Sequence, residues 1–343
     1  MPDFSSYIDL PLVWAGLMAI IIFLYVLLDG FDLGVGILFP FAPSDKCRDR
    51  MMNSIVPFWD CNETWLVMGG GALFVGFPLA YAILLPAFYI PIILMLLGLI
   101  SRGVAFEFRS RAHHNNNGLW DIMFHIGSLV ATISQGMILG GFIHGVSIME
   151  RNFVGGPFDW LNGFSIMTGV ALVFGYALLG STWLIMKTTD VTQKWARNAA
   201  QYVIGFVMIF IALIAAAILF TDHYQHLWLS GKIAIGLALI AIIIMVLFFI
   251  IISDLFCAVR KVHEARPFIV SICIFTVSYI GLISIIFPWI VPFKFTIWDA
   301  AGSQYSLSLM LIIVTPMLPL ILCYTGYCYY VFRGKSHHDQ HMY

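Results

Sequence analysis

Two acids stand three residues apart inside an apolar run. The string LDGFDLGVG (28–36) carries Asp29 and Asp32, which at that spacing share one face of a helix. A carboxylate within a membrane span is costly to keep, and the chemistry that suits it is holding and passing a proton. Gly30 and Gly34 form a small-xxx-small pair that lets a second helix approach closely. A second acidic string, WDCNETW (59–65), carries Asp60 and Glu63. Two readings of it are open. Asp60 can cap a helix, with Glu63 completing a capping-box-like start. Alternatively, Asp60 lies at the same depth as Asp29, and the two form a proton relay, with Asp32 and Glu63 in support. Against the relay stands a structural role in which the acids fix the first loop by hydrogen bonds. In SRGVAFEFR (101–109), Glu107 is expected to pair with Arg102 or Arg109, or to meet lipid or a partner subunit; the alternative is a direct part in supporting the proton pathway.

The remaining candidate groups point away from chemistry. Only His125 and His144 fall in apolar segments, nineteen residues apart on one segment, so they cannot face each other across a haem. No metal site and no hydrolytic triad is expected. The six cysteines form no CxxC, and they read as buried thiols. Gly69-Gly70-Gly71 lies in an apolar stretch and reads as helix packing, not a phosphate cradle.

The elements that position these residues must be membrane helices. The chain has 343 residues, 61% hydrophobic and 10% charged, with mean hydropathy +0.94. A soluble surface cannot be covered with so few charges, so lipid is the solvent for much of it. A net charge of −1 gives no reason to expect nucleic acid. Runs of about 20 apolar residues predict about nine transmembrane helices, near 11–40, 63–83, 85–107, 120–145, 161–186, 198–221, 229–257, 267–290 and 306–332. The second and third are separated by a short turn near Pro86. The prediction is an all-α polytopic protein with a single transmembrane domain over 1–343, and two four-helix bundles plus one peripheral helix. No cleavage site follows the acidic N-terminus, so the first run is expected to be retained.

Lysine and arginine set the orientation. With nine spans, fourteen of the seventeen fall on one side: Lys46, Arg48, Arg50, Arg102, Arg109, Arg111, Lys187, Lys194, Arg197, Arg260, Lys261, Arg266, Arg333 and Lys335. Arg151, Lys232 and Lys294 fall on the other. The positive-inside rule then puts the N-terminus outside and the C-terminus in the cytoplasm. Asp29, about 27 Å along its helix from position 11, lies in the cytoplasmic half. Trp59, Trp65, Trp160, Trp228, Trp289 and Tyr324 to Tyr330 make the interfacial belt.

The strings LDGFDLGVG (28–36), NSIVPFWDCNETWL (53–66), SRGVAFEFRS (101–110) and IWDAAGSQYSLSLM (297–310) resemble the signature segments of subunit II of the cytochrome bd quinol oxidases. One departure is Cys61, where a glycine is expected; its bulk bears on packing at a tight helix start. The resemblance implies a heterodimer in a bacterial inner membrane with a larger subunit I. That partner would hold two b haems, haem d and the quinol site, and would reduce oxygen to water with protons drawn from the cytoplasm. A structural quinone in this chain and a small single-helix third subunit also belong to the family picture. The resemblance implies that Asp60 and Asp29 carry protons toward haem d, and that Trp65 lines an oxygen path or anchors its helix. Two other readings are a proton-coupled secondary transporter and a purely structural subunit. The acids near one side and the lack of matched broken helices count against the transporter.

Overall fold

Residue types set each helix start. Asp9 accepts a hydrogen bond from Leu12 N (3.1 Å) and, with Pro11 in the first turn, opens α1 (Leu10–Leu38). The computed structural model describes residues 8–111, 117–220, 231–256 and 263–336. After α1 come a short polar helix α2 (Asp45–Asn53), α3 (Trp59–Gly76), α4 (Pro78–Ala87), α5 (Tyr89–Arg111) and α6 (Asn117–His144). The series continues with α7 (Gly163–Lys187), α8 (Asp190–Phe220), α9 (Gly231–Phe256), α10 (Arg266–Ile286) and α11 (Gln304–Val331). Two strand pairs, β1 (Ile148–Met149) with β2 (Asn152–Phe153) and β3 (Trp289–Val291) with β4 (Phe295–Thr296), close the loops after α6 and α10. Arg260, Lys261, Cys257, His113, His114, His223, His226, Trp228, His337, His338 and His341 lie outside the described residues, as do the side chains of Arg111 and Lys232.

Eight of these helices are long and apolar enough to cross a membrane. Nine were expected; α3, at the place of the second, has 18 residues and a length of about 27 Å but is not among the eight. Its polar opening, with Asp60, Asn62 and Glu63, lowers its hydropathy. The helix in place of the expected span 63–83 therefore runs over Trp59–Gly76. A break at Phe77-Pro78 and the ten-residue α4 replace the expected turn near Pro86. Proline at the first position of α4 explains the break, since it continues no hydrogen bond from α3. Helix α8 starts at Asp190, eight residues before the expected 198, because its first two turns are polar.

Helix α7 packs on α1, α6 and α8, α5 packs on α6, α3 on α1 and α9 on α10, with α11 at the margin against α1 and α3, so the contacts do not divide the helices into the two separate four-helix bundles expected. Helices α1 and α7 approach most closely of all at their glycines. A Cβ at Gly34 would lie 1.8 Å from Tyr176 O, and one at Gly180 would lie 2.5 Å from Val35 N, so the backbones touch there. Residues 29 to 38 of α1 and 175 to 185 of α7 are buried on every side. The exposed apolar side chains sit largely on α8, α9 and α11, where lipid replaces a protein neighbour.

The basic loops converge on one end. Arg109 pairs with Asp49 and Asp121, and Arg50 lies 3.8 Å from Asp190. Lys335 pairs with Glu264, and Lys187 donates to Phe332 O and Gly334 O. At the opposite end Trp298 donates to Asp9, and Gly302 N donates to Gly76 O.

Candidate functional site

The buried inner half of α1 carries the site. Asp29 and Asp32 are both 0% exposed. The start of α3 lies beside them: Asn62 Nδ2 donates to Leu28 O (3.1 Å) and to Asp32 Oδ2 (2.7 Å). These two bonds set α3 at the depth of the α1 acids. Tyr329 OH of α11 donates to Asn62 Oδ1 at 3.1 Å, so the peripheral helix helps to hold Asp32.

Asp29 meets a cation. Arg102 of α5 is 0% exposed, and its Nη1 lies 2.7 Å from Asp29 Oδ1. Its other terminal nitrogen, Nη2, binds Glu63 of α3. The planar guanidinium is suited to bridge two carboxylates, which a lysine could not do with one nitrogen. Glu63 keeps 26% of its side chain exposed, whereas Asp29 keeps 1%. The cluster thus opens to the surface of this chain at Glu63. Close helix contacts allow it: Gly98 of α5 and Gly127 of α6 pack backbone to backbone, and Gly36 of α1 receives Ser128.

The structure brings together Asp29, Asp32 and Glu63, and adds Arg102 and Asn62, which sequence reasoning did not place there. The charge pattern alone places Arg102 with the basic residues of the cytoplasmic side. Its signal was depth: it lies nine residues before the end of α5, about 13 Å inside it. Asp60 is exposed and does not turn toward Asp29. It does not cap α3 either, because the cap is Phe58 and no side chain bonds there. Asp60 and Glu63 share a helix face, so Glu63 stands between Asp60 and the buried pair. Glu107 is exposed; Arg102 pairs with Asp29 and Glu63, and Arg109 with Asp49 (2.9 Å) and Asp121 (2.6 Å). Trp65 is fully buried, with no hydrogen-bond partner for its indole N–H among the described residues. Cys61 Sγ lies 3.4 Å from Thr325 Oγ1 of α11, so its bulk fills the α3–α11 contact.

Among the described residues, the two span histidines lie far apart. His125 Nδ1 is 3.1 Å from Gly36 O and ties α6 to the end of α1. His144 is exposed at the far end of the same helix, about 28 Å away. Two ligands so placed cannot clamp one iron.

Comparison with known proteins extends this geometry. The family model described as cytochrome bd terminal oxidase subunit II matches residues 10–332. Cytochrome bd ubiquinol oxidase subunit 2 of Bacillus subtilis (strain 168) is 32% identical over 340 residues, covering 96% of this chain and 98% of that one. Cytochrome bd-I ubiquinol oxidase subunit 2 of Escherichia coli (strain K12) is 29% identical over 381 residues, covering 96% of each. A chain of the solved bd oxidase from Geobacillus thermodenitrificans shares the fold, with a TM-score of 0.71 at 16% identity, over 94% of this chain and 99% of that one. A family match over nearly the whole length, with a polytopic helical fold to go with it, identifies the chain as a member of the cytochrome bd terminal oxidase subunit II family.

Proposed function

We propose that this chain supplies protons for oxygen reduction in a bd-type quinol oxidase. The supporting observation is the imbalance at the site: one guanidinium, Arg102, faces three carboxylates, Asp29, Asp32 and Glu63. Charges removed from water need compensation, and a surplus of carboxylates over cations favours taking up a proton. The order of exposure gives a direction. Asp60 is at the surface, Glu63 is partly exposed, and Asp29 and Asp32 are enclosed. A proton enters at Asp60, passes to Glu63 and reaches Asp29 beside Arg102. The basic end of the bundle faces the cytoplasm, which makes the cytoplasm of a bacterial cell the source.

The partner in this reading is a haem-bearing subunit I, which holds the b and d haems and oxidises quinol. This chain stabilises it and delivers protons to it, and carries no redox centre of its own. A haem would supply electron transfer and oxygen binding. The residues here bind neither; they hold and orient protons. No residue of this chain is assigned to a quinone or to a small third subunit.

The test is steady-state oxygen consumption and coupled proton uptake in the purified complex, for Asp29→Asn, Asp60→Asn and Glu63→Gln. Each is expected to slow both, on the order of tenfold or more, as expected for loss of a proton-transferring group. Full uptake and turnover in the Asp29 and Asp60 variants would leave the chain as a structural subunit.

A further inference from the structure

Outward from Asp29 a second set of polar side chains fills the bundle, and the proton route above does not use it. Tyr25 lies one turn before Asp29 on the same face of α1. Its hydroxyl accepts a hydrogen bond from Gln135 Nε2 of α6 at 2.7 Å. Gln135 Oε1 in turn accepts from Tyr176 OH of α7 at 2.9 Å. Tyr25 and Tyr176 are 5% and 1% exposed. Three helices thus each spend a polar side chain where phenylalanine and leucine would pack at no desolvation cost.

The directions of these bonds decide which hydroxyl keeps a hydrogen. A tyrosine hydroxyl has one hydrogen to give. Tyr176 gives its hydrogen to Oε1, which leaves the amide to present N–H to Tyr25. Tyr25 is therefore an acceptor from Gln135 and keeps its own hydrogen. Asp29 is the acid one turn further along that face; its oxygens are fully buried and have no hydrogen-bond partner among the described residues, and one of them lies 2.7 Å from Arg102 Nη1. The hydrogen left on Tyr25 and the Asp29 oxygens that lack a donor are thus one helical turn apart on one buried face. With the amide turned the other way, Tyr25 would spend its hydrogen on Oε1 and Asp29 would lose a donor.

We propose that Tyr176, Gln135 and Tyr25 form a one-way hydrogen-bond chain whose last hydrogen fixes the Asp29 carboxylate in the orientation that meets Arg102. All three are positioning residues: they act through Asp29 and carry no proton onward. The inference rests on the reading of Asp29 as a proton carrier, and it adds the residues that hold the carrier in place.

The test is redox-difference infrared spectroscopy of the purified, haem-containing complex, with Asp29→Asn used to mark the bands that belong to Asp29. Tyr25→Phe keeps the ring and removes the hydroxyl, so a packing role would leave those bands alone. The expected result is that they move in Tyr25→Phe and move less in Tyr176→Phe, which acts two hydrogen bonds away. Proton uptake should slow in the same order, about tenfold for Tyr25→Phe, as for loss of one hydrogen bond to a charged group. Asp29 bands unmoved in an assembled Tyr25→Phe complex would overturn the chain and leave the proton reading standing. Should Tyr25→Phe fail to assemble, Tyr176→Phe, which leaves α1 unaltered, is read by the same rule. Spectra with no band removed by Asp29→Asn would overturn the proton reading, and the chain with it.

Discussion

Arg102→Met tests how the site is held. Methionine keeps an unbranched side chain of similar reach and removes the charge. The Arg102 and Asp29 side chains are 0% and 1% exposed, so water screens neither. Glu63 is 26% exposed and recovers part of its hydration when its partner leaves. Removing one member of a buried pair strands the other, at about 3–5 kcal/mol. The exposed side of the bridge adds about 0–1 kcal/mol. The single variant should therefore destabilise the complex by about 3–5 kcal/mol, almost all of it through Asp29. Adding Asp29→Asn removes the stranded charge and should return about 2 kcal/mol, a coupling within the range for residues in direct contact. The assay is unfolding of the purified complex in denaturing detergent, followed by tryptophan fluorescence, for the two single variants and the double. A loss below about 1 kcal/mol in Arg102→Met, or a double variant no better than the single, would refute the buried-bridge reasoning.

Three further outcomes follow from the packing. Gly34→Ala places a methyl 1.8 Å from Tyr176 O and should push α1 and α7 apart, at more than the ~1–3 kcal/mol of ordinary overpacking. The yield of assembled complex should collapse, while Gly205→Ala, which points into open space, should assemble normally. Lys187→Met removes the Nζ donor to Phe332 O (2.5 Å) and Gly334 O (3.3 Å), so limited proteolysis after Arg333 should speed up about tenfold. The hydrogen bond from Lys335 holds the Glu264 carboxyl below its ordinary value of 4.5. A lowered acid adds stability above its unfolded value and loses it as pH falls through the folded one. Glu264→Gln should therefore cost less than about 1 kcal/mol at neutral pH, and nothing once the pH lies below that lowered value.

What the sequence could show follows from which signals stand out in an apolar chain. Asp29 and Asp32 are legible because an acid within a span has few bland explanations. The sidedness of the loops is legible because lysine and arginine are rare enough for their alternation to be read. Gly34 was legible as a close contact, though the partner helix, α7, was not. Arg102 was misread because an arginine near a span end ordinarily snorkels to the interface, and the true end of α5 lies several residues further on. Asn62, Gln135, Tyr25 and Tyr176 gave no signal, since uncharged polar residues are common in membrane helices and only their partners reveal a network. The break at Phe77-Pro78 was hidden by hydropathy, which sums α3 and α4 into one run. Asp60 drew attention for its type, but a helix start alone does not tell which way its side chains face.

The most direct test of the account is proton uptake in a single turnover. The fully reduced complex is mixed with oxygen, and a pH-indicating dye follows the protons taken up by the parent and by Asp29→Asn. The account predicts that oxygen binds at the parent rate while proton uptake slows about tenfold or more. Uptake at the parent rate in Asp29→Asn would contradict it, and would place the proton route outside this chain.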